Sequence, residues 1–307
     1  MIAPISHEVE LAMAEFLSPA LEQPPYALYR VDGGETRWYY REDKDAYYPS
    51  VTSVIGATTP TPYGLLQWMK KHGEEADAER DKAAAYGTWL HIQIARLLIN
   101  KSYDMSGITD SLYMAATDAG VRLDHTDWVN RGQHDILSFE QFRRDHDVTP
   151  TAIEACLTSD SGYAGAVDLV CTMKIGTGRN GAFLKRDNGG QEITAIVDFK
   201  SGRKGFYESH EIQLHMYAAM VRENFGITAD RLYNWSPSDW RTSPTFKLKD
   251  QTESRHAAKI PHLLEIFKIE GRGGPGKRLS VSGVIDPDKP LTDFYQLKEA
   301  KTIVTEK

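Results

Sequence analysis

The chain has 307 residues, with 36 Lys and Arg against 43 Asp and Glu, a formal net charge of −7. Hydrophobic residues make up 41% and charged residues 26%, which excludes a disordered, collagen-like or disulfide-stapled chain. A protein that is basic all over is also excluded, so a polyanion would have to be met by a local basic surface or by bound cations. The only cysteines, Cys156 and Cys171, are too few for a disulfide framework or a four-cysteine cluster and suit a reducing, cytoplasmic setting. Neither a signal peptide nor an apolar run of about 18 residues is evident, so no membrane association is expected.

In chain order, residues 8–18 read as a short amphipathic helix closed by Pro19, Pro24 and Pro25. ALYRVDGGETRWYYRED (27–43) reads as a hairpin about Gly33-Gly34. Ser50, after Pro49 and before an apolar stretch, is placed to cap a helix. Gly64 to Asn100 reads as mainly helical, with breaks at Gly73 and Gly87, and Leu90, Ile94, Leu97 and Leu98 form an apolar face. More helix is expected near 110–121 and over 135–146.

After Pro150 the texture changes. AIEACLTSD, GYAGAVDLVCTMKI and QEITAIVDFKSG read as three strands, the last two joined by a long Gly- and Asn-rich tip over 176–190. A helix ending at Gly226 follows, then strands RLYNWSP and TFKLKD. A further helix is expected to break or kink at Pro261. The pattern predicts an α/β (α+β) fold with a central mixed sheet flanked by helices. It divides into a helix-and-hairpin extension (1–47), a main domain (48–270) and a C-terminal tail (271–307) with little periodicity.

The chemistry gathers on the three middle strands. Asp198 and Lys200 share a strand face at the end of the apolar run ITAIV. Taken alone, they read more readily as a salt bridge than as a metal site. Asp168, flanked by apolar residues in GAVDLV, shifts that balance: pairing through the 174–191 hairpin would set it beside Asp198. Two carboxylates side by side near a core are costly without a cation between them, and Mg²⁺ or Mn²⁺ suits such a site. Glu154 on the preceding strand is either a third carboxylate of the group or a solvated position. His91 follows Gly87-Thr88-Trp89-Leu90, and its spacing alone marks it only weakly. Gln213 and Tyr217 share a helix face four apart, suited to orienting Lys200, to holding a phosphate, or simply to half-buried packing.

Together, GTWLH (87–91), Glu154, GAVDLV, DFK (198–200) and QLHMY (213–217) resemble the PD-(D/E)XK nuclease superfamily in its RecB-like exonuclease branch. YPSVTSVI (48–55), followed by Leu66 and Trp68, is similar to a leading segment of phage exonucleases and of the mitochondrial genome maintenance exonuclease. The resemblance covers about 48–235 and implies a restriction-endonuclease-like core. It implies a Mg²⁺- or Mn²⁺-dependent deoxyribonuclease acting on DNA ends or single strands, alongside a recombinase or single-strand-binding protein. His91, Asp168, Asp198 and the Phe199 carbonyl would hold the metal, with Glu154 in support. Lys200 would be the catalytic lysine. Gln213, Tyr217, Ser50 and Thr52 would meet DNA. The basic residues Lys70, Lys71, Arg143, Arg144, Lys185, Arg186, Arg203 and Lys204 are candidates to meet its backbone. Trp68 and Trp89 are candidates for stacking bases or for core packing. Two cysteines cannot supply the iron–sulfur cluster of some relatives, and no GxxxxGK[ST] motor motif occurs. The alternatives are a structure-specific endonuclease on the same core, a silent DNA-binding module, or a structural protein with merely salt-bridged carboxylates.

Overall fold

A computed structural model describes residues 21–33, 36–100, 102–122, 125–178, 189–202, 205–270, 277–281, 290 and 295–299. The helix expected over 8–18 and the hairpin tip over 179–188 lie outside these residues.

The hairpin forms as expected from β1 (Leu28–Gly33) and β2 (Thr36–Arg41), and a third strand, β3 (Ala46–Pro49), completes an antiparallel sheet. Ser50 caps α1 (Val51–Thr58): its Oγ accepts from Ser53 N at 2.9 Å. α2 (Tyr63–His72) ends at Gly73, whose φ of +53° needs glycine. The break expected at Gly87 is absent, and α3 runs unbroken over Ala76–Asn100. Glycine costs a helix about 1 kcal/mol, and here it permits close approach instead. A Cβ on Gly87 would stand 3.3 Å from Ser201 Oγ, just past the strand carrying Asp198.

α4 (Ile108–Asp118) and α5 (His125–Asp145) follow, and α5 starts ten residues earlier than the apolar pattern indicated. The three expected strands are present as β4 (Thr149–Ser159), β5 (Tyr163–Ile175) and β6 (Gln191–Phe199). Next come α6 (Glu208–Phe225), β7 (Arg231–Pro237) and β8 (Phe246–Asp250). The expected break falls where α7 (Ile260–Ile269) begins after a 3-10 turn over Arg255–Lys259, with Pro261 in its first turn, where proline forfeits no helical bond. The segment expected as an aperiodic tail contains two paired strands, β9 (Lys277–Val281) and β10 (Tyr295–Glu299).

The central sheet has the order β4-β5-β6-β7-β8, with β6 and β7 parallel and the other neighbours antiparallel. It separates two cores. α1, α6, α7 and the Val31–Trp38–Tyr40 face of the N-terminal sheet pack on one side, and α3, α4 and α5 on the other. Strand alternation assigns residues between them: Ile193, Ala195, Val197 and Phe199 face the second core and Ile196 the first. At the end of β6, the rings of Phe139, Phe199 and Trp235 meet edge to face, with centroids 5.3 to 5.9 Å apart. Each such pair contributes roughly 0.5–1.5 kcal/mol beyond area burial, which anchors the backbone between Asp198 and Lys200. Among the described residues no helix is long and apolar enough to cross a membrane.

Candidate functional site

The site begins where β6 stops. β5 and β6 pair as far as Leu169–Val197, so one step further Asp168 comes opposite Asp198, as the hairpin reading required. The ladder does not continue there. Phe199 N instead donates to the Asp168 carboxylate Oδ2 at 2.6 Å.

The neighbouring pair of strands is irregular at the same level. β4 and β5 pair at Ile153–Leu169 and again at Ala155–Val167, with Glu154 opposite Asp168 between them. Glu154 has φ +47°, a left-handed conformation inside a strand. Apolar alternation changes phase there. Ile153 and Leu169 face one core, whereas Ala155 and Val167 face the other. The phase change turns Glu154 and Asp168 into the seam between the cores. Left-handed backbone at a residue with a side chain costs of the order of 1–3 kcal/mol and collects at functional sites.

α3 lays His91 across this seam. Its Nδ1 lies 3.2 Å from Glu154 Oε1 and 3.7 Å from Asp168 Oδ1, and its Nε2 3.2 Å from the Phe199 carbonyl. His91, Glu154 and Asp168 offer ligand atoms all within 4.8 Å of one another, a set that could hold a metal ion. Burial works against a charged His91 ring, but Asp168 and Glu154 outweigh it and hold the pKa up to about 9. Burial raises Asp168 to about 6 despite the His91 charge. A compact group whose charges need each other in this way is what a cation would relieve.

Asp198, expected as a ligand, stands outside that group. It is buried and its carboxylate pKa is raised by that burial. Its two oxygens take Lys200 Nζ at 2.9 and 2.8 Å, and Oδ2 also accepts from Asn234 Nδ2 at 2.7 Å. Lys200 Nζ donates in turn to Gln213 Oε1 at 3.1 Å, and Gln213 Nε2 donates to Tyr217 OH at 2.7 Å. Gln213 and Tyr217 are both buried, so the geometry makes them supports of Lys200. Lys200 and burial together hold His210 down to about 4, burial being the larger cause, so that ring is neutral beside the ammonium.

A cavity of about 340 Å³ opens over these groups. Ser50, Thr52, His91, Glu154, Asp168, Asp198, Phe199, Lys200, Gln213 and Tyr217 all line it, which brings together every expected residue except the basic candidates. Of those, Lys185, Arg186, Arg203 and Lys204 lie outside the described residues.

No protein-family model matches the chain, and no curated protein matches it. Among solved structures it is similar to one described as SSO0001. The identity is 14%, over 61% of this chain and 87% of that one, and the TM-score is 0.26. A likeness that slight carries no argument about fold or activity.

Several residues read as candidate nucleic-acid contacts make contacts within the protein. Trp89 is core, with its Nε1 donating to Ser111 Oγ at 3.0 Å. Trp68 leans on the His72 ring, with centroids 4.6 Å apart. Arg143 and Arg144 are both tied to Glu140. The sequence reading missed Asn234, which gives no signal in RLYNWSP. It also missed Arg30 and Arg37, which line the cavity, although their period-two spacing with Tyr39 across the hairpin was legible.

Two predictions arise here. A Cβ on Gly165 would stand 2.9 Å from Tyr217 Cε1, so Gly165→Ala must displace the ring that supports Gln213. The expected cost is about 1–3 kcal/mol in denaturant unfolding, with a shift of the Tyr217 ring visible in a crystal structure of the variant. Asn234 is fully buried and donates to the buried Asp198. Asn234→Leu is expected to cost roughly 1–3 kcal/mol at neutral pH. Removing a donor to the carboxylate favours protonation, so the penalty should shrink at mildly acid pH. Equal penalties at both would mean that Asn234 does not stabilise an ionised Asp198.

Proposed function

We propose that the chain is a divalent-metal-dependent deoxyribonuclease that hydrolyses phosphodiester bonds in DNA ends or single strands, built on a PD-(D/E)XK-type site. The observation that carries this reading is the pairing of two constellations in one cavity. One is the compact His91–Glu154–Asp168 donor set, and the other is an ammonium fixed on Asp198 and Gln213 beside it. Two carboxylates, an imidazole and the nearby Phe199 carbonyl make an oxygen-rich set suited to Mg²⁺ or Mn²⁺. A bound cation supplies Lewis acidity toward a phosphate and acidifies water.

The chain's own groups account for the rest. Lys200 Nζ is held on both Asp198 oxygens and on Gln213, and Lys200 lines the cavity. Its charge stabilises the negative charge that grows during attack. Asp198 and Gln213 hold Nζ in place before substrate arrives, so little reorganisation is needed at the moment of reaction. The aromatic lock at Phe199 keeps its backbone carbonyl aimed at His91.

The test is digestion of end-labelled linear DNA and covalently closed circles with Mg²⁺ or Mn²⁺, beside Asp198→Ala. Linear DNA should be degraded, closed circles should persist, and Asp198→Ala should be inactive. Cutting of closed circles would make the enzyme an endonuclease. Binding without cleavage by the wild type would make it a binding module.

A further inference from the structure

The chain is acidic overall, yet the cavity is not: its four Lys and Arg side chains outnumber its three carboxylates. Lys200 belongs to the reacting end. The other three, Arg30, Arg37 and Arg96, come from the N-terminal sheet and from α3. We propose that these arginines form a second phosphate-binding subsite, which holds the phosphate next to the one that reacts. This rests on the nuclease reading of the cavity and names what else of the substrate the cavity grips.

The register of the N-terminal sheet sets the arginines on one face. Arg30 lies opposite Tyr39, and Arg37 is two residues from Tyr39 on the same strand, so all three side chains project from one side. The other side, carrying Val31, Trp38 and Tyr40, is committed to the core. Arg30, Arg37 and Tyr39 all line the cavity, and both arginines are half-buried. The same face packs toward β4 and β5, where Tyr39 clusters with Ala164 and with Cys156.

Spacing within the elements places this end one step from the metal donors. Cys156 follows Glu154 by two residues, about 6.5–7 Å along a strand. Arg96 follows His91 by five, about 7.5 Å along a helix axis. Both line the same cavity as the residues they follow. That displacement is of the order of the step between neighbouring phosphates on an extended single strand. Guanidinium forks suit phosphate oxygens bidentately, which favours arginine over lysine at such a place. Tyr39 between them is buried against Ala46, Tyr48 and Ala164 and lines this end of the cavity, which fixes the strand that carries Arg37. The rival role for the arginines is to neutralise the three carboxylates, and the two roles part on which ligand loses affinity.

The experiment measures binding of single-stranded oligonucleotides in chelator, each carrying one neutral methylphosphonate linkage at successive positions. Wild type is compared with Arg30→Ala and Arg37→Ala. One neutral linkage should lower wild-type affinity about tenfold, the size of a lost charge-assisted contact, and linkages far from it should have little effect. Each arginine variant should bind the fully charged strand about tenfold more weakly, with the salt slope reduced by about 1. Each should also lose its sensitivity to that one linkage. Strands ending in 5′-phosphate, 3′-phosphate or hydroxyl form a second arm: an end-dependent loss makes the ligand a terminal monoester, and an internal loss makes it a diester. Because the neutral linkage is placed on the substrate, the wild-type result does not depend on a variant folding.

Wild type indifferent to every neutral linkage and every end group overturns the subsite. So do arginine variants that bind all strands normally but change Mn²⁺ affinity, which would assign the arginines to the carboxylates. Cleavage by wild type together with either result removes the subsite and leaves the nuclease standing. Phosphate-specific binding without cleavage under any divalent cation does the reverse.

Discussion

Lys200→Met is expected to lower phosphodiester hydrolysis roughly 10²–10³-fold, the usual loss when a preorganised donor to developing charge is removed. Methionine keeps much of the side-chain volume and removes only the ammonium. In the native protein that ammonium sits on Asp198 at 2.8–2.9 Å and on Gln213 at 3.1 Å. Its loss leaves Asp198 buried with Asn234 as its remaining side-chain donor among the described residues, and burial then raises the carboxylate pKa further. Stability should therefore fall as well, and a lower melting temperature is part of the expected result. Mn²⁺ affinity separates the two effects, since the donors His91, Glu154 and Asp168 do not include Asp198 or Lys200. A variant that folds, binds Mn²⁺ like the wild type and turns over substrate like the wild type would remove Lys200 from the chemistry.

The sequence showed the strands of this site better than the way the site uses them. Asp168 opposite Asp198 follows from two apolar runs and one hairpin, because antiparallel register is simple arithmetic once the strands are recognised. Asp198 was harder. A strand pattern shows that Asp198 and Lys200 share a face, but it does not show Asn234 arriving from the parallel neighbour β7 to occupy the same oxygen. That contact spans 36 residues and a helix, and no local periodicity encodes it. Glu154 stayed ambiguous for a related reason. Its role depends on a left-handed φ at the point where the apolar alternation of β4 changes face, and AIEACL reads as ordinary alternation. Gly87 misled in the opposite direction: a helix-breaking residue was present for close packing against Ser201. The arginines of the N-terminal hairpin were visible as a pattern, but nothing in a hairpin's own sequence says which sheet edge it will cover.

Asp168→Asn is expected to abolish metal-dependent activity and to weaken Mn²⁺ binding at least about a hundredfold, beyond the loss typical for residues that only support a ligand. The pH dependence gives a second handle. In the metal-free protein both Asp168 and His91 have folded-state pKa values above their ordinary ones, about 6 against 3.8 and about 9 against 6.5. The folded state then holds more protons than the unfolded state, so stability falls as pH rises, through 3.8 to 6 for Asp168 and through 6.5 to 9 for His91. A cation must displace the His91 proton to use its ring. Mn²⁺ affinity should therefore climb over the same 6.5-to-9 window in which the metal-free protein loses stability. Binding near neutral pH should release close to one proton, which calorimetry in buffers of different ionisation enthalpy measures directly. In Asp168→Asn the His91 ring loses its largest charge partner. The fall in stability toward pH 9 should then flatten along with the metal affinity. Proton release that persists unchanged in the variant would mean that the cation binds somewhere other than this seam.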